Sequence, residues 1–169
     1  YGTVTGVQTC ALPICLLAVG YERKSSMQIG ALQPLRRMER EGLVDLYHVE
    51  PESASPAALE GADAVLVLRA FEDVTLPLLD AARGKDVPLV ASWDDDFLSI
   101  PPGTPIGDFY NHPSVVRAIR RFLSESSLVV ASTPPLFARS AEHNDQVMEA
   151  IYGLRSEEHT SELQSQFRI

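Results

Sequence analysis

Cysteine is almost absent from this chain: Cys10 and Cys15 are the only two in 169 residues. Cys10 falls in a terminal segment set aside below and Cys15 at its edge. No disulfide framework and no cysteine zinc site is therefore available, which is compatible with the cytoplasmic location we expect. Long apolar runs are also lacking, and no stretch reaches the roughly 20 residues of a membrane-spanning helix. Ile14 to Val19 is too short for a signal-peptide core. Positive charge is scarce. Asp and Glu outnumber Lys and Arg by 23 to 14, a net charge of -9, which argues against nucleic-acid partners. The two basic clusters, Arg36, Arg37 and Arg40 and then Arg117, Arg120 and Arg121, fall on predicted helices and read as solvated faces. The first strand is not followed by G-x-G-x-x-G, so nothing supports NAD or FAD, and no cofactor is expected. Internal repeats and low-complexity tracts are missing too.

The two ends read as foreign to the rest. Residues 4–14, VTGVQTCALPI, and residues 155–165, RSEEHTSELQS, resemble translated sequencing-library adapter. One oligonucleotide, read on its two strands, encodes both. Residues 1–14 and 155–169 are therefore expected to be adapter-derived scar. The native stretch is expected to be 15–154, a fragment of a longer protein with one domain's length. His159 and its neighbouring acids are accordingly not read as a metal or acid/base site.

What remains is organised around residues 87–97, VPLVASWDDDF. Val87, Leu89, Val90 and Ala91 form a short apolar run, the pattern of a strand buried on both faces. It stops in three adjacent acids, Asp94, Asp95 and Asp96. Their mutual repulsion and poor strand propensity take the chain out of the sheet. Ligands of parallel α/β sheets bind beyond the carboxyl ends of the strands. The triplet is thus either a solvated turn and helix cap or the edge of a site.

The other elements alternate. Ile14–Val19 reads as a first strand, followed by a polar stretch to Ser26 with Tyr21, Glu22, Arg23 and Lys24. Met27, Ala31, Leu32, Leu35 and Met38 recur at helical spacing, with both methionines expected in the core. Pro34 implies a kink or a late start, and Gly42 a stop. Val44–Val49 is a second strand, and Ala57 to Gly61 at most a short helix. Ala64–Leu68 is a third strand running into Arg69. That arginine is a structural ion-pair partner of the aspartates, a substrate contact, or simply exposed. Val74 to Ala82 reads as helix, with Leu78, Leu79 and Ala82 facing the sheet. Residues 97–110, rich in proline and glycine, read as a long loop. An amphipathic helix carries Val115, Val116, Ile119, Phe122 and Leu123. His112, just ahead of it, is a cap or packing residue, or else an acid/base or ligand group. Leu128–Ala131 is a fifth strand, with Ser132 or Thr133 capping the helix at Pro134. Residues 146–151 form a sixth strand. Such alternation predicts an α/β fold, a Rossmann-like doubly wound, mostly parallel sheet of five to six strands.

Four segments in order carry a resemblance: ALQPLRRMEREG (31–42), ADAVLVLRA (62–70), VPLVASWDDDF (87–97) and SLVVASTPPLFAR (127–139). Together they resemble the N-terminal domain of GT-B fold glycosyltransferases, closest to the retaining, glycogen-synthase-like group. The resemblance covers nearly all of 15–151. It implies two Rossmann-like domains facing across a cleft. The N-terminal one shapes the site of a glycan or lipid-linked acceptor. The C-terminal one, absent here, binds the nucleotide-sugar donor, so the fragment is expected to be inactive. Peripheral membrane association of the full-length enzyme is also implied. By position, Asp94, Asp95, Asp96, His112, Arg69 and Arg23 should line the cleft side. No catalytic base is assigned among them. No donor-phosphate contact is carried over to Gly20, because the family's glycine-rich loop is missing. The alternative is a metal-dependent transferase in which Asp94 and Asp96, a D-x-D pair, hold Mg²⁺ or Mn²⁺ with a nucleotide. A receiver-like module is disfavoured, because the chain lacks the acid pair after the first strand and the lone Asp after the third.

Overall fold

A computed structural model describes residues 13–150. The adapter-like segments at 1–12 and 155–169, and Ile151 at the end of the expected sixth strand, lie outside the described residues. Six strands form one sheet: β1 (Ile14–Val19), β2 (Val44–Val49), β3 (Ala64–Leu68), β4 (Leu89–Trp93), β5 (Leu128–Ala131) and β6 (Val147–Glu149). Their spatial order is β2-β1-β3-β4-β5-β6, and every pairing is parallel. The fold is the expected doubly wound α/β architecture, with a wholly rather than mostly parallel sheet. All six strands therefore end on one edge, and the order turns between β1 and β3, the usual place for a ligand crevice.

The apolar runs sort residues onto two faces by alternation. Leu17, Val19, Val65, Val67, Leu89, Ala91, Trp93, Val129 and Ala131 enter the larger core. Helices α3 (Leu76–Gly84) and α5 (Pro113–Glu125) cover it with Leu78, Leu79, Ala82, Ile119, Phe122 and Leu123. The opposite face carries a smaller core of Ala18, Met27, Ala31, Leu32, Leu35 and Leu68. That helical layer is α1 (Ser25–Met27), a π turn at Gln28–Leu32, and α2 (Gln33–Arg40).

Several expectations need correction. Pro34 does mark the late start that was one of its two expected effects, since regular helix begins only at Gln33, after the π turn. A widened turn accommodates a ring that would collide with the carbonyl four residues back. Only one of the two methionines is core. Met27 is buried, but Met38 is 37% exposed, because the stripe ends at Leu35 and the last turn of α2 carries no buried side chain. That helix closes as expected at Gly42, whose φ of 72° lets Leu43 N–H reach Met38 O at 2.9 Å. The short helix near Ala57 is a 3-10 turn at Pro56–Leu59. The long loop at 97–110 contains a helix, α4 (Pro105–Tyr110), with Thr104 as cap and Pro105 in its first turn. At Pro134 it is Thr133 that caps α6 (Pro134–Ala141), Oγ1 accepting from Leu136 N–H at 3.5 Å.

Candidate functional site at the carboxyl edge of the sheet

β1 ends in Gly20. A Cβ there would stand 2.7 Å from Met27 Sδ and 2.8 Å from Leu68 O. Only glycine lets the first turn lie against the end of β3. His48 donates from Nε2 to Gly20 O at 2.9 Å, holding the turn from the other side.

β3 ends in Arg69, whose φ of 56° is left-handed, a conformation that side chains with a Cβ adopt at a cost. Its contacts hold it there. Nη2 donates to Asp95 Oδ2 at 2.7 Å, Nη1 to Ser26 Oγ at 3.1 Å, and Nη1 lies 3.4 Å from Asp94 Oδ2. The guanidinium also sits 5.1 Å from the centre of the Phe97 ring. Of the three readings open for Arg69, the ion pair is present, and the same side chain also borders a cavity.

The acidic triplet divides. Asp94, with a side chain only 10% exposed, and Asp95 both serve Arg69. Asp96 turns to Arg139, 4.0 Å from its Nε. Burial pushes the Asp94 carboxyl above its ordinary value; Arg69 opposes this and Asp95 adds to it. The D-x-D pair thus faces two different arginines. Among the described residues no three His, Cys, Asp or Glu side chains gather as a metal site.

The cavity lies at the β1/β3 turning point and measures about 430 Å³. Tyr21 and Lys24 come from the turn after β1, Arg69 and Glu72 from the turn after β3. Tyr21 donates its hydroxyl to Glu72 Oε1 at 2.7 Å. Burial and the Glu72 carboxylate raise the Tyr21 phenol far above its usual range, so it remains a proton donor. Glu72 is fixed in turn by a capping box, its carboxylate accepting from Thr75 N–H while its own N–H donates to Thr75 Oγ1 at 3.2 Å. The remaining wall is α4, through Ile106, Phe109 and Tyr110. Tyr110 stacks on Phe97 at 4.7 Å, and Phe109 meets Tyr110 edge-on at 5.1 Å. Burial raises the Tyr110 phenol as well, so it too stays neutral.

Of the six residues expected to line a cleft, Arg69 borders this cavity. Asp94 and Asp95 reach it only through Arg69. Arg23 is exposed in the turn after β1, where its neighbour Lys24 lines the space. His112 is exposed and caps α5, Nδ1 accepting from Ser114 N–H at 3.4 Å. The sequence set Tyr21 and Lys24 on the rim after the first strand without counting them as candidates, and Glu72, Ile106, Phe109 and Tyr110 were missed. Glu72 had a usable signal, since it follows β3 at the edge where ligands bind. No family model and no curated protein matches this chain.

Proposed function

We propose that this domain is the acceptor-side half of a glycosyltransferase that moves a sugar from a nucleotide-sugar donor, with the acceptor lodged at the β1/β3 edge. The observation that carries this is the make-up of the cavity. Hydrogen-bonding groups of Tyr21, Lys24, Arg69 and Glu72 face an aromatic wall of Phe109 and Tyr110. A sugar ring presents the complementary pair, hydroxyls around its rim and apolar C–H faces. The four segments that resemble the GT-B N-terminal domain correspond to α2, to β3 with Arg69, to β4 with the acidic triplet, and to β5 with the start of α6. The donor and the second domain facing the cleft belong to the same proposal, as does its membrane-peripheral setting.

Two measurements test it. The gene beyond residue 154 should encode a second Rossmann-like domain with an acidic donor-binding motif; an unrelated domain or a stop codon overturns the reading. In the isolated domain, glycosides should shift the amide resonances of Tyr21, Glu72 and Tyr110 in ¹⁵N-edited spectra. A panel of glycosides that leaves these resonances unmoved removes the acceptor site.

A further inference from the structure

The wall made by α4 is unusual for a helix of its length. Ile106, Phe109 and Tyr110 stand at i, i+3 and i+4, so they form one stripe. An amphipathic helix ordinarily buries such a stripe in the core. Here all three line the cavity, and Ile106 remains 59% and Phe109 44% exposed. The preceding loop holds the helix closely, because Gly107 lies against it and a Cβ there would strike Pro101 O. The apolar side lies open over a polar floor.

The charges around the floor narrow the occupant. Glu72 lines the cavity with Lys24 and Arg69, and Arg69 is already engaged by Asp94 and Asp95. The local sum is negative by one, within a chain of net charge -9. An anionic head group would enter against that field. A neutral hydroxylated group would not, and it can satisfy Tyr21, Glu72 and Lys24. The space, about 430 Å³, lies within the usual range of small-molecule sites, roughly 300–1,000 Å³.

We infer that the acceptor is a neutral glycoside carrying an aryl or alkyl group, with its sugar over Tyr21 and Glu72 and its apolar group on Ile106 and Phe109. This rests on the acceptor reading above and specifies the class of molecule. The test is titration of the whole chain, by calorimetry and amide shifts, with methyl β-glucoside, phenyl β-glucoside and phenyl phosphate, and with the matching galactosides and mannosides. For at least one sugar the phenyl glycoside should bind about ten-fold tighter than the methyl glycoside, the order expected for partial burial of one ring. Phe109→Ala should erase most of that ratio by weakening the phenyl glycoside far more than the methyl glycoside. Ile106→Thr, at the more exposed position, should reduce it with an unchanged melting temperature. Equal binding of phenyl and methyl glycosides overturns this inference and leaves the acceptor reading standing. Phenyl phosphate binding more tightly than every phenyl glycoside overturns the neutral class. Failure of all glycosides to bind overturns both.

Discussion

At the scale of single residues, Arg69 and Asp94 decide most about the edge. The charge of the deeply placed Asp94 carboxylate is opposed by burial and favoured by the Arg69 cation 3.4 Å away. Replacing Arg69 with Leu leaves that charge unpaired. The expected loss is about 1–3 kcal/mol at neutral pH, below the range for fully buried pairs because Arg69 is 27% exposed. Urea denaturation measures it. The loss should shrink on acidification, as Asp94 takes up its proton and no longer needs the partner; a loss independent of pH would mean that the ring contact with Phe97, not the ion pair, matters. Asp94 itself gives a second expectation. Its folded-state value lies above the unfolded one, so the native state holds the proton to higher pH. The stability it contributes is complete below the unfolded value, about 3.9, and is lost as pH rises through the raised folded value. Asp94→Asn copies the protonated form and escapes that loss. The stability of the variant minus that of the parent should therefore climb between pH 4 and pH 7. A flat or falling difference refutes the assignment. The pairing of Arg69 with an aspartate after the next strand was one of three readings the sequence left open, because a cation at the end of a buried strand is costly unless it is paired or exposed at the rim. Its left-handed backbone was not legible, since nothing in an AVLVLRA run marks one residue for positive φ.

At the scale of elements, α4 is where reading and structure part. Residues 97–110 hold enough proline and glycine to read as loop. Yet Thr104-Pro105 is the same cap-and-first-turn signal that was recognised at Thr133-Pro134. What hid the helix is its length of six residues, too short for hydrophobic periodicity to register. Gly107 shows the cost of placing it there. In an open helix Gly→Ala gains about 1 kcal/mol. At Gly107 the new methyl would strike Pro101 O, and overpacking of this kind costs typically 1–3 kcal/mol. Clash should win: Gly107→Ala is expected to lower the melting temperature and to weaken glycoside binding, because the apolar wall shifts with the helix. Thr104→Ala removes only the cap, worth about 1 kcal/mol, and should leave the wall in place. If Gly107→Ala proves stabilising, α4 is not held down by its loop. The helices of the larger core, by contrast, were largely legible, although α3 starts at Leu76 after a 3-10 turn that leaves Val74 exposed, and on α5 Ala118 is buried where Val116 is only partly so. Leu78, Leu79 and Ala82 face the sheet as their spacing requires.

Across the whole molecule, the strands and their parallel order followed from apolar runs alternating with helices, but the inequality of the two sheet faces did not. LVVA and LVASW carry apolar side chains on both faces alike, which predicts burial on both. In the structure the larger core buries Leu89, Ala91, Val129 and Ala131 completely or nearly so. On the other face, α1, the π turn and α2 cover the β1 and β3 side. Towards β6, Val90, Leu128 and Val130 are only partly buried and Met148 is 48% exposed, among the described residues. Neighbours in one strand therefore sit in different solvents, and a matched pair of substitutions can measure the difference. Valine and threonine have the same shape and similar strand preference, so Val→Thr mainly tests the burial of a hydroxyl. At Val129, which is 0% exposed, an unbonded hydroxyl should cost about 1–3 kcal/mol. At Val130, one position further on and turned to the open face, the cost should stay below about 1 kcal/mol, because water still reaches the hydroxyl. The shift in urea midpoint at constant slope reads both values. Equal losses at the two positions would mean that the face carrying Val130 is as closely covered as the core beneath α3 and α5.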